Sequence, residues 1–280
     1  MGGGTRVHAP PEASSDAPNW LLLGSIGTLK GQNYLKRFTG RADAYSKYRP
    51  GYPREVLGIL KSECGLSAKD SVADIGSGTG ILAELFLKDG TALVYCVEPN
   101  DDMRLRAEEN LSGRFPRSFR SVNGTAENTT LPGRSVDLVT VGQAFHWFDP
   151  RAAKKEFLRI LRPPGVACVL YNDRTADGGA MSEYNRIVSP FQRANSVPHV
   201  DDAGLSRFYR SFRKFALPNH QTLSLAGLAG RALSAGYSPH PDDKSGRSSL
   251  TKDLQAMFER YSKHGRLTLE YTTRLYVGEL

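Results

Sequence analysis

The chain has 280 residues, 39% of them hydrophobic and 24% charged, which is typical of a soluble globular protein with one or two cores. No run approaches the ~20 consecutive apolar residues that a membrane-spanning helix needs. The net charge is +8, and the 3 cysteines show neither metal-ligand spacing nor the even count of a disulfide framework, so we expect no metal site and a reducing, cytoplasmic location.

The positive charge is concentrated on both sides of a more acidic centre. Basic residues outnumber acidic ones over residues 28–54 and 203–217, whereas acidic residues prevail over 70–150. A nucleic acid, an anionic small substrate or an ordinary solvated surface each accounts for such a pattern. The basic residues of the two flanks are Lys30, Lys36, Arg37, Arg41, Lys47, Arg49 and Arg54, and Arg207, Arg210, Arg213 and Lys214.

The start of the chain predicts a tail. Residues 1–16 are dominated by Gly, Pro, Ala and Ser, and we expect disorder over residues 1–37. The apolar stretch Trp20–Leu23 lacks a preceding basic cluster and a small-residue cleavage site, so it is not interpreted as a signal peptide. The folded domain is expected over residues 38–280.

From Pro53 onwards, short apolar strands alternate with helices. Strands that are apolar on both faces indicate a mainly parallel sheet covered by helices on both sides. The predicted helices lie over 53–64, 80–88, 100–111 and 150–161, and the predicted strands over 71–75, 92–97, 119–122, 136–141 and 166–171.

Beyond residue 175 the alternation loosens. Arginines at 207, 210 and 213 alternate with aromatic residues, which favours an edge strand with a charged face and also fits a nucleic-acid patch. Helical patterns and a β-rich end follow the core at residues 181–194, 225–234, 250–263 and 267–277. The predicted fold is α/β, with a Rossmann-like seven-stranded and mostly parallel sheet. A cofactor core over about 66–175 is followed by a helical cap and a terminal antiparallel hairpin over 176–280.

The segment Asp74-Ile75-Gly76-Ser77-Gly78-Thr79-Gly80 follows a predicted strand and opens a helix. Its glycines let the chain turn tightly and let a ligand approach the backbone. A dinucleotide fingerprint would need Gly or Ala where this chain has Ile81. The carboxylate of Asp74 repels a diphosphate and suits a cationic ligand.

Further candidate ligand contacts follow the next strands. Glu98 ends the second strand, where a carboxylate can accept hydrogen bonds from both hydroxyls of a ribose. Met103, at the start of the next helix, can pack on a purine face. Glu127 or a nearby backbone group of the segment Gly124-Thr125-Ala126-Glu127 can contact the purine's amino edge. Together these positions predict a ligand with a nucleoside part.

The order and spacing of these segments resemble the class I S-adenosylmethionine-dependent methyltransferases. Within them the chain is similar to the type 11 branch and to small-molecule enzymes such as the trans-aconitate methyltransferases, over about residues 38–280. Pro163-Pro164-Gly165 departs from the usual Pro-Gly-Gly, which affects the geometry of that turn more than the chemistry. The matching segments are Tyr45–Pro53, Asp74–Gly80, Val97–Pro99, Gly124–Glu127, Gln143–Phe148, Leu158–Pro163 and Arg274–Tyr276.

The resemblance implies S-adenosyl-L-methionine as the cofactor, whose sulfonium and α-ammonium groups are both positive. It also implies that Gln143 lies near the cofactor. The predicted cofactor-binding residues are Asp74, Gly76, Ser77, Gly78, Gly80, Glu98, Met103, Ala126, Glu127 and Gln143.

The substrate pocket is expected at the same edge of the sheet. His146 is the only histidine of residues 66–175 and is the candidate catalytic base; alternatively it hydrogen-bonds neighbouring backbone and fixes its loop. Arg49 and Arg174 are candidates to bind an anionic group, and the N-terminal segment is expected to form a lid that excludes water. The predicted pocket and lid residues are Tyr45, Tyr48, Arg49, Phe145, Trp147, Asn172 and Arg174.

The resulting prediction is an enzyme that methylates a small-molecule acceptor, either a carboxylate or another oxygen nucleophile. An RNA or protein methyltransferase using the basic flanks is the first alternative, although Gln143-Ala144-Phe145-His146 stands where N-methylating nucleic-acid enzymes often carry Asn/Asp-Pro-Pro-aromatic. A nicotinamide-dependent oxidoreductase and a cofactor-binding protein without catalysis are further alternatives. We expect a monomer or a homodimer that does not associate with membranes.

Overall fold

The structure, a computed structural model, describes residues 5–8, 40–175, 178–194, 202–240 and 242–280, with the backbone alone at 5–8 and 193–194. The strands are β1 (Thr5–His8), β2 (Ser71–Ile75), β3 (Leu93–Val97), β4 (Phe119–Val122), β5 (Val136–Gly142), β6 (Leu161–Arg174), β7 (Ser211–Leu223) and β8 (Leu267–Glu279). The helices are α1 (Ala42–Tyr48), α2 (Glu55–Cys64), α3 (Ile81–Lys88), α4 (Asp101–Leu111), α5 (Pro150–Ile160), α6 (Gly179–Ala194), α7 (Asp202–Phe208), α8 (Leu225–Leu233) and α9 (Lys244–Tyr261).

The strands described form one sheet in the order β1-β7-β8-β6-β5-β2-β3-β4. The five strands from β2 to β6 are parallel to one another, whereas β8 pairs antiparallel with both β6 and β7. The predicted Rossmann-like sheet with an antiparallel terminal pair is therefore confirmed. The helices α8 and α9 lie between the two terminal strands in the chain.

Two segments differ from the sequence-based expectation. Within the predicted tail, Thr5–His8 forms a strand that pairs antiparallel with the start of β7 and adds an eighth strand to the sheet, while residues 9–39 lie outside the described part. The predicted edge strand around Arg207 is a helix up to Phe208, and the strand begins only at Ser211. The helical spacing of the buried side chains of Leu205 and Phe208 explains the difference.

The sheet is covered on both faces, as its apolar strands predict. On β2, Val72 packs in one core cluster with Phe86 of α3, whereas its neighbour Ala73 packs in another with Phe157 of α5. The helices that follow β2 and β5 therefore lie on opposite faces of the sheet. In an open sheet, the point where neighbouring connections diverge in this way leaves a crevice at the carboxyl ends of the strands.

A third core cluster joins the cap to the antiparallel strands. It contains Tyr184 of α6, Leu228 of α8, Leu254 of α9 and Leu269 of β8. Helix α1 is attached to this cap because Gly230 of α8 leaves room for the ring of Tyr48; a Cβ at Gly230 would lie 2.3 Å from a ring carbon. The cap and α1 thereby face the crevice from the side opposite the sheet. None of the helices described is long and apolar enough to cross a membrane.

Candidate active site

The turn after β2 forms the floor of the site. Gly76, Gly78 and Gly80 all have positive φ angles, of 66°, 55° and 82°, which side chains with a Cβ rarely adopt. A Cβ on Gly76 would lie only 2.7 Å from the Cβ of Ala144 in the loop after β5. The predicted glycine turn therefore requires glycine for both its conformation and its close packing.

Glu98 stabilises this turn through hydrogen bonds to the backbone. Its side chain is fully buried, and Oε2 accepts a hydrogen bond from the backbone N–H of Gly78 at 2.9 Å. Oε1 accepts another from the N–H of Asn100 at 2.8 Å. The carboxylate thus ties the turn after β2 to the turn after β3. It does not line the cavity described below.

Asp74 presents a buried carboxyl group to the site. The residue is 1% exposed, and its Oδ1 accepts a hydrogen bond from the Thr140 hydroxyl at 3.2 Å. Its Oδ2 is buried and has no hydrogen-bond partner of normal geometry among the described residues, although the backbone N–H of Ala83 in α3 also stabilises the charged carboxyl group. Burial, reinforced by the charge of Glu98, raises the pKa of Asp74 from 3.8 to about 7. A hydrogen-bond donor or a cation next to this oxygen would therefore be stabilised.

A cavity of about 620 Å³ lies between the glycine turn, the ends of β5 and β6, and the cap. This volume is in the range of small-molecule sites. The lining residues are Tyr45, Arg49, Pro50, Tyr52, Asp74, Gly76, Ser77, Gly78, Ile81, Leu82, Met103, Gly142, Gln143, Ala144, Trp147, Asn172, Asp173, Arg174, Asn185, Ser189, Gln192, Arg231, Tyr237 and Arg274.

Apolar and aromatic side chains close the cavity near the glycine turn. Met103 packs against Ala42 of α1, and Tyr45 and Trp147 pack on the same cluster. Gln143 lies opposite with a positive φ of 59°, and its side chain donates to the carbonyl of Asn172 at 3.3 Å. This end of the cavity is thus lined by ring and thioether surfaces with one positioned amide.

Arginines and tyrosines line the cap end of the same cavity. Arg174 at the end of β6 donates to the Tyr237 hydroxyl at 3.3 Å, and Arg231 of α8 donates from Nε to the Tyr271 hydroxyl at 3.3 Å. Arg49 stands with its guanidinium carbon 4.6 Å from the centre of the Tyr45 ring. The cavity therefore has an acidic end at Asp74 and a basic end at the cap.

An ion pair and an amide network hold the wall formed by β6 and β8. Arg274 is paired with Asp173, so neither carries an uncompensated charge. Asn172 donates to the carbonyl of Gly51 at 3.0 Å and accepts from Thr273 at 2.5 Å. These bonds fix the chain that leads from α1 into the domain.

Most of the predicted site residues meet at this cavity. Asp74, Gly76, Ser77, Gly78, Met103, Gln143, Tyr45, Arg49, Trp147, Asn172 and Arg174 line it, although they come from segments far apart in the chain. Parallel strands bring their carboxyl ends to one edge, which explains why the sequence pattern could anticipate them.

Other predicted residues do not line it. Gly80 begins α3, Ala126 lies in the core, and Glu127 accepts from the backbone N–H of Asp149 at 2.9 Å. Tyr48 packs on α8, as described above. The residues of the predicted set outside the cavity lining are Gly80, Glu98, Ala126, Glu127, Tyr48, Phe145 and His146.

The aromatic loop after β5 divides its side chains between cavity and core. Trp147 lines the cavity, whereas Phe145 is buried with its ring centre 4.6 Å from that of Phe208. His146 lies 3.4 Å from the Tyr171 hydroxyl through Nδ1 and packs beside Trp147. The contact with Tyr171 is to a side-chain hydroxyl rather than to neighbouring backbone, so both interpretations of His146 stay predictions.

The cap contributes lining residues that sequence reasoning missed. The main ones of the cap are Asn185, Gln192, Arg231 and Tyr237, and Tyr52 before α2 and Arg274 of β8 were missed as well. Arg231 had a local signal, because it is the single charged residue in the otherwise small and apolar helix Leu225–Leu233. Tyr52 and Arg274 lie in two of the segments that carry the family resemblance. Within the described residues, no group of three or more His, Cys, Asp or Glu side chains is arranged to hold a metal ion.

Comparison with known proteins gives a consistent result. Residues 73–169 match the family model of a methyltransferase domain. The chain is 34% identical over 151 residues to the uncharacterized methyltransferase Rv3342 of Mycobacterium tuberculosis, which covers 54% of this chain and 58% of the relative. It is 31% identical over 130 residues to the uncharacterized methyltransferase C25B8.09 of Schizosaccharomyces pombe, covering 46% and 50% of the two chains. The chain thus spans about half the length of the curated relatives that it matches.

A solved structure from Anaeromyxobacter dehalogenans has the same fold. The TM-score is 0.64 at 21% sequence identity, over 83% of this chain and 98% of that one. The likeness therefore covers more of the chain than the segment matched by the family model.

Proposed function

We propose that this chain belongs to the class I S-adenosylmethionine-dependent methyltransferases and transfers a methyl group from that cofactor to a small-molecule acceptor. The match of residues 73–169 to a methyltransferase domain supports the proposal. The observation that carries the proposal is the buried Oδ2 of Asp74 beside the glycine turn, which has no hydrogen-bond partner of normal geometry among the described residues. A buried carboxylate oxygen without such a partner suits a cationic ligand and repels a diphosphate.

The residues present fit this cofactor. Gly76 and Gly78 line the cavity, so a ligand can approach their backbone, and Asp74 supplies negative charge for a positive amino-acid head. Met103 and Trp147 offer flat apolar surface to a purine. Glu98 would act by holding the turn, since its two oxygens already accept backbone hydrogen bonds.

Methyl transfer requires position and a dry site more than protein-based chemistry. The cofactor supplies a methyl group on a sulfonium, so that an acceptor oxygen forms the new O–C bond as the C–S bond breaks and the electron pair stays on sulfur. Tyr45 of α1 and Tyr237 of the cap segment line the cavity, where they would help to exclude water from bound ligands. An ionised oxygen as nucleophile needs no base, which accords with a cavity lining that contains no histidine among the described residues.

The acceptor is a small molecule because of the cavity's size and cover. The roughly 620 Å³ must hold both the cofactor and the acceptor, and the cap covers the side opposite the sheet. A folded protein or a nucleic-acid duplex does not enter such a space without extruding its target group.

Calorimetric titration tests the proposal directly. S-adenosylhomocysteine is expected to bind with measurable heat and a nicotinamide dinucleotide to give none. With a methyl-labelled donor, mass spectrometry over a panel of organic acids and alcohols should then reveal a labelled product. Saturation by the dinucleotide without any binding of S-adenosylhomocysteine would overturn the proposal, and cofactor binding without a product across the panel would favour a binding protein.

A further inference from the structure

Three arginines from separate elements converge at the cap end of the cavity. Arg49 follows α1, Arg174 ends β6, and Arg231 lies on α8. Arg274, also in the lining, is paired with Asp173, whereas the other three form no ion pair with a carboxylate of the described residues. The cluster Arg49–Arg174–Arg231 is therefore a concentration of positive charge without a counter-charge in the described part of the protein.

Arg231 is the most buried member of the cluster. It is 4% exposed, and its Nη1 is buried without a hydrogen-bond partner among the described residues. Its Nε donates to the hydroxyl of Tyr271 at 3.3 Å, and its guanidinium carbon lies 6.0 Å from the centre of the Tyr184 ring and 5.9 Å from that of Tyr271. Since an unpaired buried charge is strongly unfavourable, a side chain in this position is one that a bound anion would stabilise.

Arg49 also has a buried guanidinium nitrogen without a hydrogen-bond partner. Its Nη2 donates to the carbonyl of Ser234 at 3.3 Å, but its Nε is buried and has no partner. Burial and the repulsion of Arg231 lower the pKa of Arg49. Burial also acts to lower the pKa of Arg231, but the nearby Tyr271, Tyr184 and Tyr237 outweigh it and raise that pKa.

The surrounding tyrosines stabilise the cluster but do not supply a carboxylate to it. The guanidinium carbon of Arg174 lies 5.8 Å from the centre of the Tyr184 ring and 5.7 Å from that of Tyr237. Ring faces stabilise a cation by about 0.5–2 kcal/mol, which is less than a full counter-charge provides. Burial alone would raise the pKa of Tyr237, but the charges of Arg231, Arg174 and Arg49 outweigh it and lower the pKa.

We propose that the cluster Arg49–Arg174–Arg231 is an oxyanion site that holds a carboxylate of the acceptor, with Arg231 as its central anchor. The inference rests on the proposed function and deepens it, because it makes the acceptor a small organic acid. Paired guanidinium donors match the planar, two-oxygen geometry of a carboxylate.

The anchored carboxylate is not the group that becomes methylated. Arginine hydrogen bonds stabilise a charge that methylation would remove, so they would hold the ground state more tightly than the transition state and slow the transfer. The anchored group keeps its charge throughout, and a second oxygen of the same molecule accepts the methyl group. The acceptor therefore carries at least two functional groups.

Binding of model acids tests this site independently of turnover. Succinate and benzoate are titrated calorimetrically into the chain with and without saturating S-adenosylhomocysteine. The amide of each acid is titrated separately for comparison. We expect at least one of the acids to bind and its amide not to bind. The affinity for that acid should fall about tenfold to a hundredfold in Arg231→Gln, and Arg231→Lys should have an affinity between those of Arg231→Gln and the parent chain. S-adenosylhomocysteine affinity should stay unchanged in both variants, and Arg186→Gln, an exposed arginine paired with Glu183, serves as the matched control.

A melting curve distinguishes an anchor from a structural arginine. Without ligand, Arg231→Gln should melt at the same temperature as the parent chain or higher, because an unpaired buried charge is removed; the acid-induced rise in melting temperature should be lost. A lower melting temperature with unchanged acid affinity would overturn the proposal, as would equal binding of acid and amide. If binding of the acids depends on Arg231 but S-adenosylhomocysteine does not bind, the proposed function fails and the oxyanion site stands. If S-adenosylhomocysteine binds but binding of the acids does not depend on Arg231, only the oxyanion site fails.

Discussion

Asp74 is the side chain whose environment contributes most to the chemistry of the site. Its carboxyl is buried beside the glycine turn, and one of its oxygens has no hydrogen-bond partner of normal geometry among the described residues. The titratable groups coupled to it are Glu98, Tyr52 and Cys96, and burial raises the pKa values of Tyr52 and Cys96 well above their ordinary range. Near neutral pH these two groups are therefore uncharged and leave Asp74 to titrate.

We predict that the ligand-free protein loses stability as pH rises from about 4 to 8. The pKa of Asp74 is about 7 when folded and ordinarily 3.8, so the folded chain holds a proton in this interval that the unfolded chain releases. The stabilising contribution is complete below pH ~4 and lost above pH ~7, and it amounts to roughly 4 kcal/mol.

Asp74→Asn should remove this pH dependence and weaken binding of S-adenosylhomocysteine. Urea unfolding at pH 5 and pH 8 measures the first effect and calorimetry the second. Asp253→Asn, an exposed aspartate on α9, should leave both unchanged. An equally steep decline in Asp74→Asn and in the parent chain would contradict the assignment.

At the scale of elements, the turn after β2 illustrates that a glycine's contribution to stability depends on its backbone conformation. Gly76 has a positive φ and stands against Ala144, whereas Gly58 lies within α2 with no atom near the place of a Cβ. The same substitution should therefore have opposite effects at the two positions.

Gly76→Ala is predicted to lower the free energy of unfolding by at least about 1–2 kcal/mol, from the left-handed backbone alone, and to weaken cofactor binding. Gly58→Ala should raise it by about 0.5–1 kcal/mol, because alanine favours the helix. Urea denaturation of both variants at one pH measures the difference. A stabilised Gly76→Ala protein would show that the turn is not constrained as described.

At the scale of the whole molecule, the C-terminal basic flank is largely built into the fold. Arg213 is paired with Glu63 at 2.6 Å and Lys214 with Asp202 at 2.7 Å. The aromatic residues between the arginines, Phe208, Tyr209 and Phe212, are buried in the core. Stacking on nucleic-acid bases requires exposed rings, which these residues do not provide.

We therefore predict no salt-dependent binding of single-stranded RNA by the full chain. Fluorescence anisotropy with a labelled oligonucleotide at low salt is the measurement, and Arg210→Ser should give the same flat curve. Affinity that falls steeply with salt and drops further in Arg210→Ser would restore the alternative of an RNA methyltransferase.

The strands and the site's position could be predicted from local pattern because parallel strands impose both. The apolar runs predicted as strands over 71–75 and 136–141 match the observed Ser71–Ile75 and Val136–Gly142, and a strand's carboxyl end determines which loop faces the crevice. Local pattern also identified Asp74, next to the end of β2, whereas Gln143 was expected from the family resemblance. Local pattern does not determine the direction of a side chain. Glu98 was expected at the correct strand end, but its carboxylate accepts a hydrogen bond from the backbone of the glycine turn instead of lining the cavity.

The sequence by itself therefore determined the fold class, the glycine turn and the acidic end of the cavity, since each follows from residues adjacent in the chain. Only the tertiary structure decided the basic end. Arg49, Arg174 and Arg231 are separated by more than fifty residues from one another and meet because α1, β6 and α8 pack around the same cavity. Burial and the lack of a counter-charge are properties of that packing, and no local spacing encodes them.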